Sequence, residues 1–338
     1  MSSTTSSERV TGSTHSTQER LYLSQEEGRR LEDLADQVVL DTIEYYDRFR
    51  FVEKRVVDPN AWKDVGHRDN LTVYRERSGP RPTYPSIRTL DGHLQLVPCK
   101  SAPSVKIVGM IQGTLDDEMY GCFVDSDDAV KMRTVFVDDA MQNFHWLATI
   151  AEPTQEDPFR FCGVARCTLG MSMPLAKTRG ACMVISMGMS TTKHGERMGY
   201  YVAHSVDLSE PVNEHSYLRV KCSLCWLKTE LANGKVELYM KGFVAPMGIV
   251  PEFAAFPVLV NCVLGVGQTS DTSYSKKLAW MIHDAGCVQH VPGVAFARRD
   301  LRSKRWKSLD AGRTSATGSS DQEFTPTPST DRPFYETR

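Results

Sequence analysis

The sequence lacks the features that would place it in a membrane, a secretory pathway or a nucleic-acid complex. Residues 1–20 are polar and rich in Ser and Thr, with no apolar segment of the kind that a signal peptide needs. The longest apolar run, residues 253–266, is too short to cross a bilayer core and is interrupted by Pro257, Asn261 and Gly265. The formal net charge is only -2 at pH 7, so no overall field attracts a polyanion. We therefore predict a cytoplasmic protein with no transmembrane helix and no nucleic-acid partner.

The sequence also lacks cysteine pairs with the spacing of a disulfide framework or a metal site. Its nine cysteines are an odd number scattered along the chain, and we interpret them as reduced, small apolar side chains. Cys222 and Cys225 have C-x-x-C spacing, but residues three apart on a strand point to opposite faces. No second pair follows at zinc-finger spacing. We predict no metal site and no cofactor.

Catalytic signatures are lacking as well. His145, His204 and His215 do not stand in a pattern typical of a catalytic triad, and neither G-x-S-x-G nor H-E-x-x-H occurs. Three consecutive acids, Asp116 to Glu118, are better explained as the first turn of a helix than as a cation site. We therefore predict that the chain is not an enzyme and has no catalytic residue.

Helical and strand periodicities divide the chain into domain and tails. Ser24 stands before Gln25, Glu26 and Glu27 as in a capping box, and apolar residues at helical spacing continue that helix to about Tyr46. We predict a disordered tail over residues 1–20, one domain over 21–270 and a short helical extension over 271–290. Residues 291–338 are polar, basic and then rich in Ser, Thr and Pro, which predicts a second disordered tail.

Strand-like segments fill the middle of the domain. Period-two alternation begins near Trp62, a hairpin is predicted within residues 80–103, and another strand covers 105–112. Two short helices are predicted at 115–121 and 126–135, followed by six strands in series between residues 144 and 244. The last two strands flank Asn233-Gly234, the strongest short hairpin signal. Antiparallel strands between an N-terminal and a C-terminal helix predict an α+β domain whose curved sheet grips a helix.

An unusually apolar helix closes the predicted domain. Pro251 is suited to its first turn, Glu252 suits the positive end of the helix dipole, and the rest of residues 253–266 carries no charge. One stripe of this helix contains Phe253, Phe256, Pro257, Val260 and Leu264. Such a helix needs apolar material on both sides. The sequence leaves open whether that material is an ordinary protein core or a bound apolar ligand.

Four short motifs resemble those of the START domain, the StAR-related lipid-transfer family. They are Val108-Gly-Met-Ile-Gln-Gly113, Glu156-Asp-Pro-Phe-Arg-Phe161, Gly199-Tyr-Tyr-Val-Ala-His-Ser205 and Gly248-Ile-Val-Pro251. Their order extends over about residues 25–270, and it is most similar to the START-like domains of oomycetes. The resemblance implies a helix-grip fold, with a curved antiparallel sheet wrapped around a long C-terminal helix and a tunnel for one lipid or sterol.

The sequence departs from that family at its charged positions. Many members have an Arg-Asp pair where this chain has Arg179-Gly180. Sterol-binding members bury an acid–Arg pair on the neighbouring strands, whereas Arg166 is the only charge within residues 161–169 and 181–189 here. Recognition of a sterol by that ion pair is therefore not expected.

The alternating strand residues and the closing helix supply a predicted lining for the tunnel. Met is common along one strand face, and its flexible thioether suits surfaces that accept several apolar shapes. Tyr200, His204 and Arg166 are the candidates for a hydrogen bond to the polar group of a lipid, although His204 also fits a satisfied core residue. The predicted ligand-binding residues are Phe161, Arg166, Met183, Ile185, Met187, Tyr200, His204, Leu224, Trp226, Leu238, Met240, Phe253, Phe256 and Val260.

The stretch from Arg298 to Lys307 has six basic residues around Trp306. Basic residues and Trp favour an anionic membrane surface, so a transient membrane contact through the C-terminal helix and this stretch is a further hypothesis. The sequence thus predicts non-enzymatic binding, transfer or sensing of a lipid or sterol. Two alternatives remain open: a START-like protein-interaction module with a filled core, and an enzyme of the helix-grip group.

Overall fold

The computed structural model describes residues 20–77, 83–87, 94–98, 104–137, 141–169, 179–206, 218–245 and 252–284. All of them belong to one compact unit, residues 1–291, whereas residues 292–338 form a second unit. The predicted disordered tails, apart from residue 20, and the basic stretch lie outside the described residues.

The N-terminal helix α1 (Gln25–Asp47) begins at the predicted capping box. The Ser24 hydroxyl accepts a hydrogen bond from the backbone N–H of Glu27 at 3.2 Å, and the Glu27 carboxylate accepts one from the backbone N–H of Ser24 at 2.8 Å. Both bonds satisfy N–H groups that a helix start otherwise leaves unpaired. After α1, a π-helical turn (Arg48–Val52) leads into the sheet.

The remaining elements follow the predicted order closely. The strands are β1 (Trp62–Arg68), β2 (Leu71–Glu76), β3 (Thr83–Ile87), β4 (Leu94–Pro98), β5 (Val105–Ile111), β6 (Met141–Ala151), β7 (Phe161–Leu169), β8 (Arg179–Thr191), β9 (Arg197–Ser205), β10 (Leu218–Arg219), β11 (Lys221–Glu230) and β12 (Val236–Ala245). The helices α2 (Leu115–Cys122) and α3 (Asp127–Phe136) lie between β5 and β6. One predicted strand over residues 217–229 is divided at Val220 into β10 and β11.

The main sheet is large, curved and antiparallel along its strand order β1-β2-β5-β12-β11-β9-β8-β7-β6. The short β10 pairs with β8 in parallel, and β3 and β4 form the separate predicted hairpin. The turn between β11 and β12 contains Asn233-Gly234, as predicted, and Gly234 adopts φ +73°, a conformation that glycine tolerates without strain. The α+β prediction is confirmed.

Both faces of the sheet are buried, each by different helices. The outer face is covered by α1, whose residues Leu31, Leu34 and Val38 share a core with Val184 and Leu227 of the sheet. The inner face packs against the helices from the other side: α4 lies on β1 and β2, α2 on β9 and β11, and α3 on β6. The described part of the first unit therefore has three layers, with helices on both sides of one sheet.

The C-terminal region differs from the prediction in how its helices are divided. The apolar helix α4 (Glu252–Leu264) continues as a 3-10 turn (Gly265–Gln268). A second helix, α5 (Thr269–Asp284), begins two residues before the predicted extension 271–290 and packs against α2 and α3. Glycines at 265 and 267 weaken a continuous helix, and the polar start of α5 is fixed by contacts with α2 rather than by its own periodicity.

Candidate functional site

A continuous ladder of apolar side chains crosses the inner face. Registered pairs join Val73 of β2 to Ile107 of β5, then Met240 of β12, Trp226 of β11, Tyr201 of β9, Met187 of β8 and Phe161 of β7. Directly opposed residues in an antiparallel sheet share a face, so all seven point toward the same side. The ladder gives the interior one unbroken apolar surface on which α2, α3 and α4 lie.

Most of the predicted ligand-binding residues come together on this inner face. They belong to, or pack against, one apolar cluster: Phe161, Met183, Ile185, Met187, Leu224, Trp226, Leu238, Met240, Phe256 and Val260. Period-two alternation placed the strand residues correctly relative to one another. Phe253 lies in α4, but its side chain falls outside the described residues.

The three polar candidates, Arg166, Tyr200 and His204, lie on the opposite, outer face of the sheet. This position corrects the prediction that they line the tunnel together with the Met-rich strand face. Tyr200 and His204 alternate with Tyr201 and Ala203, which face inward, and Arg166 alternates with Ala165 in the same way. Since both faces of these strands are apolar, the alternation could not reveal which set faces α4.

Contacts on the outer face explain what Tyr200 and His204 do. The Tyr200 hydroxyl accepts a hydrogen bond from Arg160, which also pairs with Glu32 of α1. Burial raises the pKa of Tyr200, and the nearby Arg160 opposes that shift without cancelling it. The His204 Nδ1 lies 2.9 Å from the Ser223 hydroxyl. Tyr200 thus attaches α1 and the loop before β7 to the sheet, and His204 joins β9 to β11, so both have a structural role.

The inner face is not covered equally everywhere. Met187, Leu238 and Met240 have 0% exposure, so protein atoms already surround them. A second group stays partly exposed although it packs against the same cluster: Trp146, Met189, Tyr201, Val244, Phe256 and Leu259. These side chains are therefore a part of the inner-face cluster that protein atoms leave accessible.

Two tryptophans place unpaired donors on this face. The indole N–H groups of Trp146 and Trp226 are buried and have no hydrogen-bond partner in the described part of the chain. Trp226 contacts the Tyr201 ring at 5.5 Å between centroids, and Trp146 contacts Phe161 at 4.9 Å. Trp146 was missed by the sequence analysis, although its position in a predicted strand two residues from Phe144 is the signal that could have found it.

One charged group of the inner face touches α4. The guanidinium of Arg75 lies 5.3 Å from the centre of the Phe256 ring, a cation–π contact. Arg75 follows Leu71 and Val73 on the same side of β2. Arg75, at this edge of the sheet, therefore holds the first half of α4 through the ring of Phe256.

A second charged group closes one end of the inner face. Lys228 Nζ donates to Glu118 Oε2 at 2.8 Å, and the Thr269 hydroxyl donates to the same oxygen at 2.6 Å. Burial alone would lower the pKa of Lys228, but the Cys122 sulfur and the Glu118 carboxylate outweigh it and raise that pKa. This ion pair connects β11 to α2, and the hydroxyl of Thr269 adds α5 to the same contact. Each ion is already neutralised by the other.

The other two acids at the start of α2 are also engaged in structural contacts. Asp117 accepts hydrogen bonds from Thr114, Ser273 and Lys277. Burial would raise the pKa of Asp117, but the bonds from Lys277 and Thr114 prevail and lower it. Asp116 pairs with Arg197 at 2.6 Å. The helix-start explanation of these acids accounts for their positions.

The described residues contain neither a metal-binding cluster nor a helix that could span a membrane. No three His, Cys, Asp or Glu side chains there form a group that could hold a metal ion. None of the described helices is both long enough and apolar enough to cross a bilayer. The seven described cysteines are reduced thiols, six of them buried.

No family model and no curated protein matches the sequence. Solved structures to which this chain is similar include StAR-related lipid transfer proteins. Human StAR-related lipid transfer protein 5 is 13% identical, with 73% of this chain and 99% of that chain covered and a TM-score of 0.46. Human STARD10 is 13% identical, covering 70% and 83%, with a TM-score of 0.43. A StAR-related lipid transfer protein from Xanthomonas axonopodis is 13% identical, covering 63% and 99%, with a TM-score of 0.42.

Proposed function

We propose that this protein binds one apolar molecule, a lipid or sterol, between the inner face of its sheet and α4, and catalyses no reaction on it. The observation that carries the proposal is the partly exposed apolar group on an otherwise buried apolar face, next to Val260 and Leu264 of α4. Each methylene moved from water to such a surface contributes about 0.8 kcal/mol. A single acyl chain or ring system could therefore be held without any ion pair.

The inner-face charges favour an electrically neutral ligand. Lys228 and Glu118 are paired with each other, and Arg75 is stacked on Phe256. A bound anion or cation would have to break one of these contacts inside an apolar environment, which is costly. The proposed lining consists of the ten inner-face residues named above, with Phe253 as a further candidate and without Arg166, Tyr200 and His204.

Entry of a ligand requires α4 to move, and the sequence of α4 suits such movement. Pro257 lies inside the helix, where it cannot donate a backbone hydrogen bond, so the first half of α4 is internally weakened. Val260 and Val263 pack the second half against the inner face by apolar contact. A helix held in this way can separate when a membrane offers an alternative apolar surface, on the timescale of loop motions.

Native mass spectrometry of the full chain, purified from its own cells, tests the proposal. Val244→Trp adds bulk beside the partly exposed group, and Val135→Trp adds the same bulk on the exposed surface of α3. We expect the wild type and Val135→Trp to carry an apolar molecule and Val244→Trp to carry little or none. Equal loading of both variants would place the ligand elsewhere.

A second function is favoured by the 0% exposure of Met187, Leu238 and Met240. Complete coverage without a ligand is what a START-like interaction module with a filled core would have. In that case the wild type carries no apolar molecule, and Val244→Trp is destabilised by overpacking, by about 1–3 kcal/mol. The mass measurement and a thermal scan of the same variants distinguish the two functions.

We also propose that ligand exchange takes place on an anionic membrane surface. At the end of α5, five consecutive residues from Leu278 to Ile282 are exposed, and the large apolar members are Leu278, Trp280, Met281 and Ile282. The basic stretch from Arg298 to Lys307 follows in the sequence. Apolar side chains that are followed in the sequence by basic residues match the interface of an anionic bilayer in both polarity and charge.

Co-sedimentation with vesicles tests this membrane contact. Leu278→Glu should reduce binding to vesicles that contain phosphatidylserine, whereas Leu40→Glu, an equally exposed leucine on α1, should not. Raising the salt concentration should weaken binding of the wild type, because the basic residues act through screened charge. Equal binding of both variants, or binding that is indifferent to anionic lipid, would contradict the proposal.

A further inference from the structure

The indole N–H of Trp226 is a buried donor for which the described protein supplies no acceptor. The residue is only 7% exposed, and within the described part of the chain its Nε1 atom has no hydrogen-bond partner. An unsatisfied buried donor is unfavourable, so such groups in folded proteins generally have a protein, water or ligand partner. An indole donates and cannot accept, so the missing partner must be an acceptor.

The position of Trp226 connects this donor to the proposed site. Trp226 is the central member of the inner-face ladder, paired with Met240 on one side and Tyr201 on the other. The Tyr201 ring, which contacts Trp226 edge-on, belongs to the partly exposed group. The donor therefore lies between a fully buried side chain, Met240, and a partly exposed one, Tyr201.

The surroundings of Trp226 restrict the acceptor to a neutral one. The nearest ionised group on the same strand face is Lys228, two residues along β11. Its Nζ already has four acceptors within hydrogen-bond distance for its three hydrogens: the Glu118 carboxylate, the Glu118 carbonyl, the Thr269 hydroxyl and the Cys122 sulfur. It has no further hydrogen to offer an anionic head group.

We infer that Trp226 determines specificity in the proposed site by donating a hydrogen bond to a neutral oxygen, a hydroxyl, carbonyl or ether, of the bound apolar molecule. The inference rests on the proposed binding function and adds the chemical class of the ligand. Apolar molecules that carry one such oxygen are bound more tightly than hydrocarbons of the same shape. The oxygen of such a molecule accepts a hydrogen bond from the indole N–H, whereas a bound hydrocarbon leaves that N–H without an acceptor.

The test compares hexadecanol with hexadecane, in competition against a fluorescent fatty probe, using the full-length protein. Trp226→Phe keeps an aromatic ring and removes the N–H, and Trp62→Phe makes the same change in β1, where the Trp62 ring stacks under Lys106 of the outer face. We expect the wild type and Trp62→Phe to prefer hexadecanol by about 2- to 10-fold, the range of one net hydrogen bond. Trp226→Phe should lose this preference and keep its affinity for hexadecane.

A second measurement needs no variant at the site and therefore does not depend on the folding of Trp226→Phe. Protein labelled with ¹⁵N-tryptophan gives indole signals for its five tryptophans. Hexadecanol should move the Trp226 N–H signal downfield, and hexadecane should not. An unchanged preference in Trp226→Phe, or an indifferent Trp226 signal while hexadecanol binds, would overturn the inference alone. Failure of both compounds to bind the wild type would overturn the proposed function as well.

Discussion

At the scale of single residues, the buried charges are the positions where we expect a substitution to reduce stability most. Glu118 and Lys228 have side-chain exposures of 0% and 1%, so neither ion is solvated by bulk water. Their stability comes from each other and from the hydroxyls of Thr269 and Ser270. A buried pair adds little net stability, but a single member without its partner is strongly unfavourable.

A double-mutant cycle on this pair is the first prediction. Lys228→Met and Glu118→Gln should each lower the free energy of unfolding by about 3–5 kcal/mol, because each leaves a buried charge unpaired. The double variant should lose clearly less than the sum of the two, as measured by urea unfolding monitored by circular dichroism. Additive losses would mean that the two side chains are not coupled.

Buried thiols give the second prediction, on pH dependence. Burial raises the pKa of Cys225 to about 12, compared with about 8.5 for a cysteine in an unfolded chain. Above pH 8.5 the unfolded state loses this proton while the folded state keeps it, so Cys225 lowers stability by about 1.4 kcal/mol per pH unit up to pH 12. The direction is a loss of stability with rising pH.

Cys225→Ala removes this single contribution. Between pH 8.5 and 10.5, its free energy of unfolding should fall less steeply than that of the wild type, by about 1.4 kcal/mol per pH unit. Below pH 8 the two curves should run parallel, separated only by the cost of the smaller side chain. Parallel curves across the whole range would show that the thiol ionises equally in both states.

At the scale of elements, the close approach of α2 to the start of α5 is made possible by a glycine. A Cβ atom at Gly121 would lie 1.8 Å from the Thr269 carbonyl oxygen, so no side chain fits there. The approach brings Thr269 to the Glu118–Lys228 pair. It also lets Lys276 donate to the carbonyls of Tyr120 and Phe123 at the end of α2.

Two helical glycines give a matched prediction of opposite sign. Gly28→Ala in α1 should raise the free energy of unfolding by about 0.5–1 kcal/mol, because alanine favours a helix and the new methyl meets only Ile150 at 3.6 Å. Gly121→Ala should lower it by about 1–3 kcal/mol or more, since α5 must shift. Thermal unfolding of both variants measures the difference, and an equal effect of the two would contradict the packing of α2 on α5.

At the scale of the whole molecule, α5 acts as part of the domain and not as an appendage. Its residues Ser273, Lys276 and Lys277 bond to α2, and Thr269 completes the buried charge pair. The compact unit accordingly extends to residue 291. A boundary at residue 270, as the sequence suggested, would cut through these contacts.

Truncation tests where the domain ends. A chain ended after Val291 should unfold at the same temperature as the full-length protein. A chain ended after Ser270 should lose about 3 kcal/mol or more, since at least three hydrogen bonds of about 1 kcal/mol each disappear together with apolar contacts. If both truncated chains melt like the full chain in a calorimeter, α5 does not contribute to the domain.

Local signals in the sequence determined a large part of this fold. The capping box at Ser24 and the turn at Asn233-Gly234 depend only on residues within a few positions, so they were predicted correctly. Alternation along β8 and β11 also grouped the inner-face residues with one another. These features need no information from distant parts of the chain.

Only the tertiary structure decided which side of each strand faces α4. The sheet is buried on both faces, by α1 outside and by α2, α3 and α4 inside, so both sets of alternating residues are apolar. Tyr200, His204 and Arg166 were therefore assigned to the wrong side by a pattern that carried no contrast. The Glu118–Lys228 pair is a contact between residues 110 positions apart, which periodicity does not record. Nor does periodicity record that the Trp226 donor has no partner among the described residues.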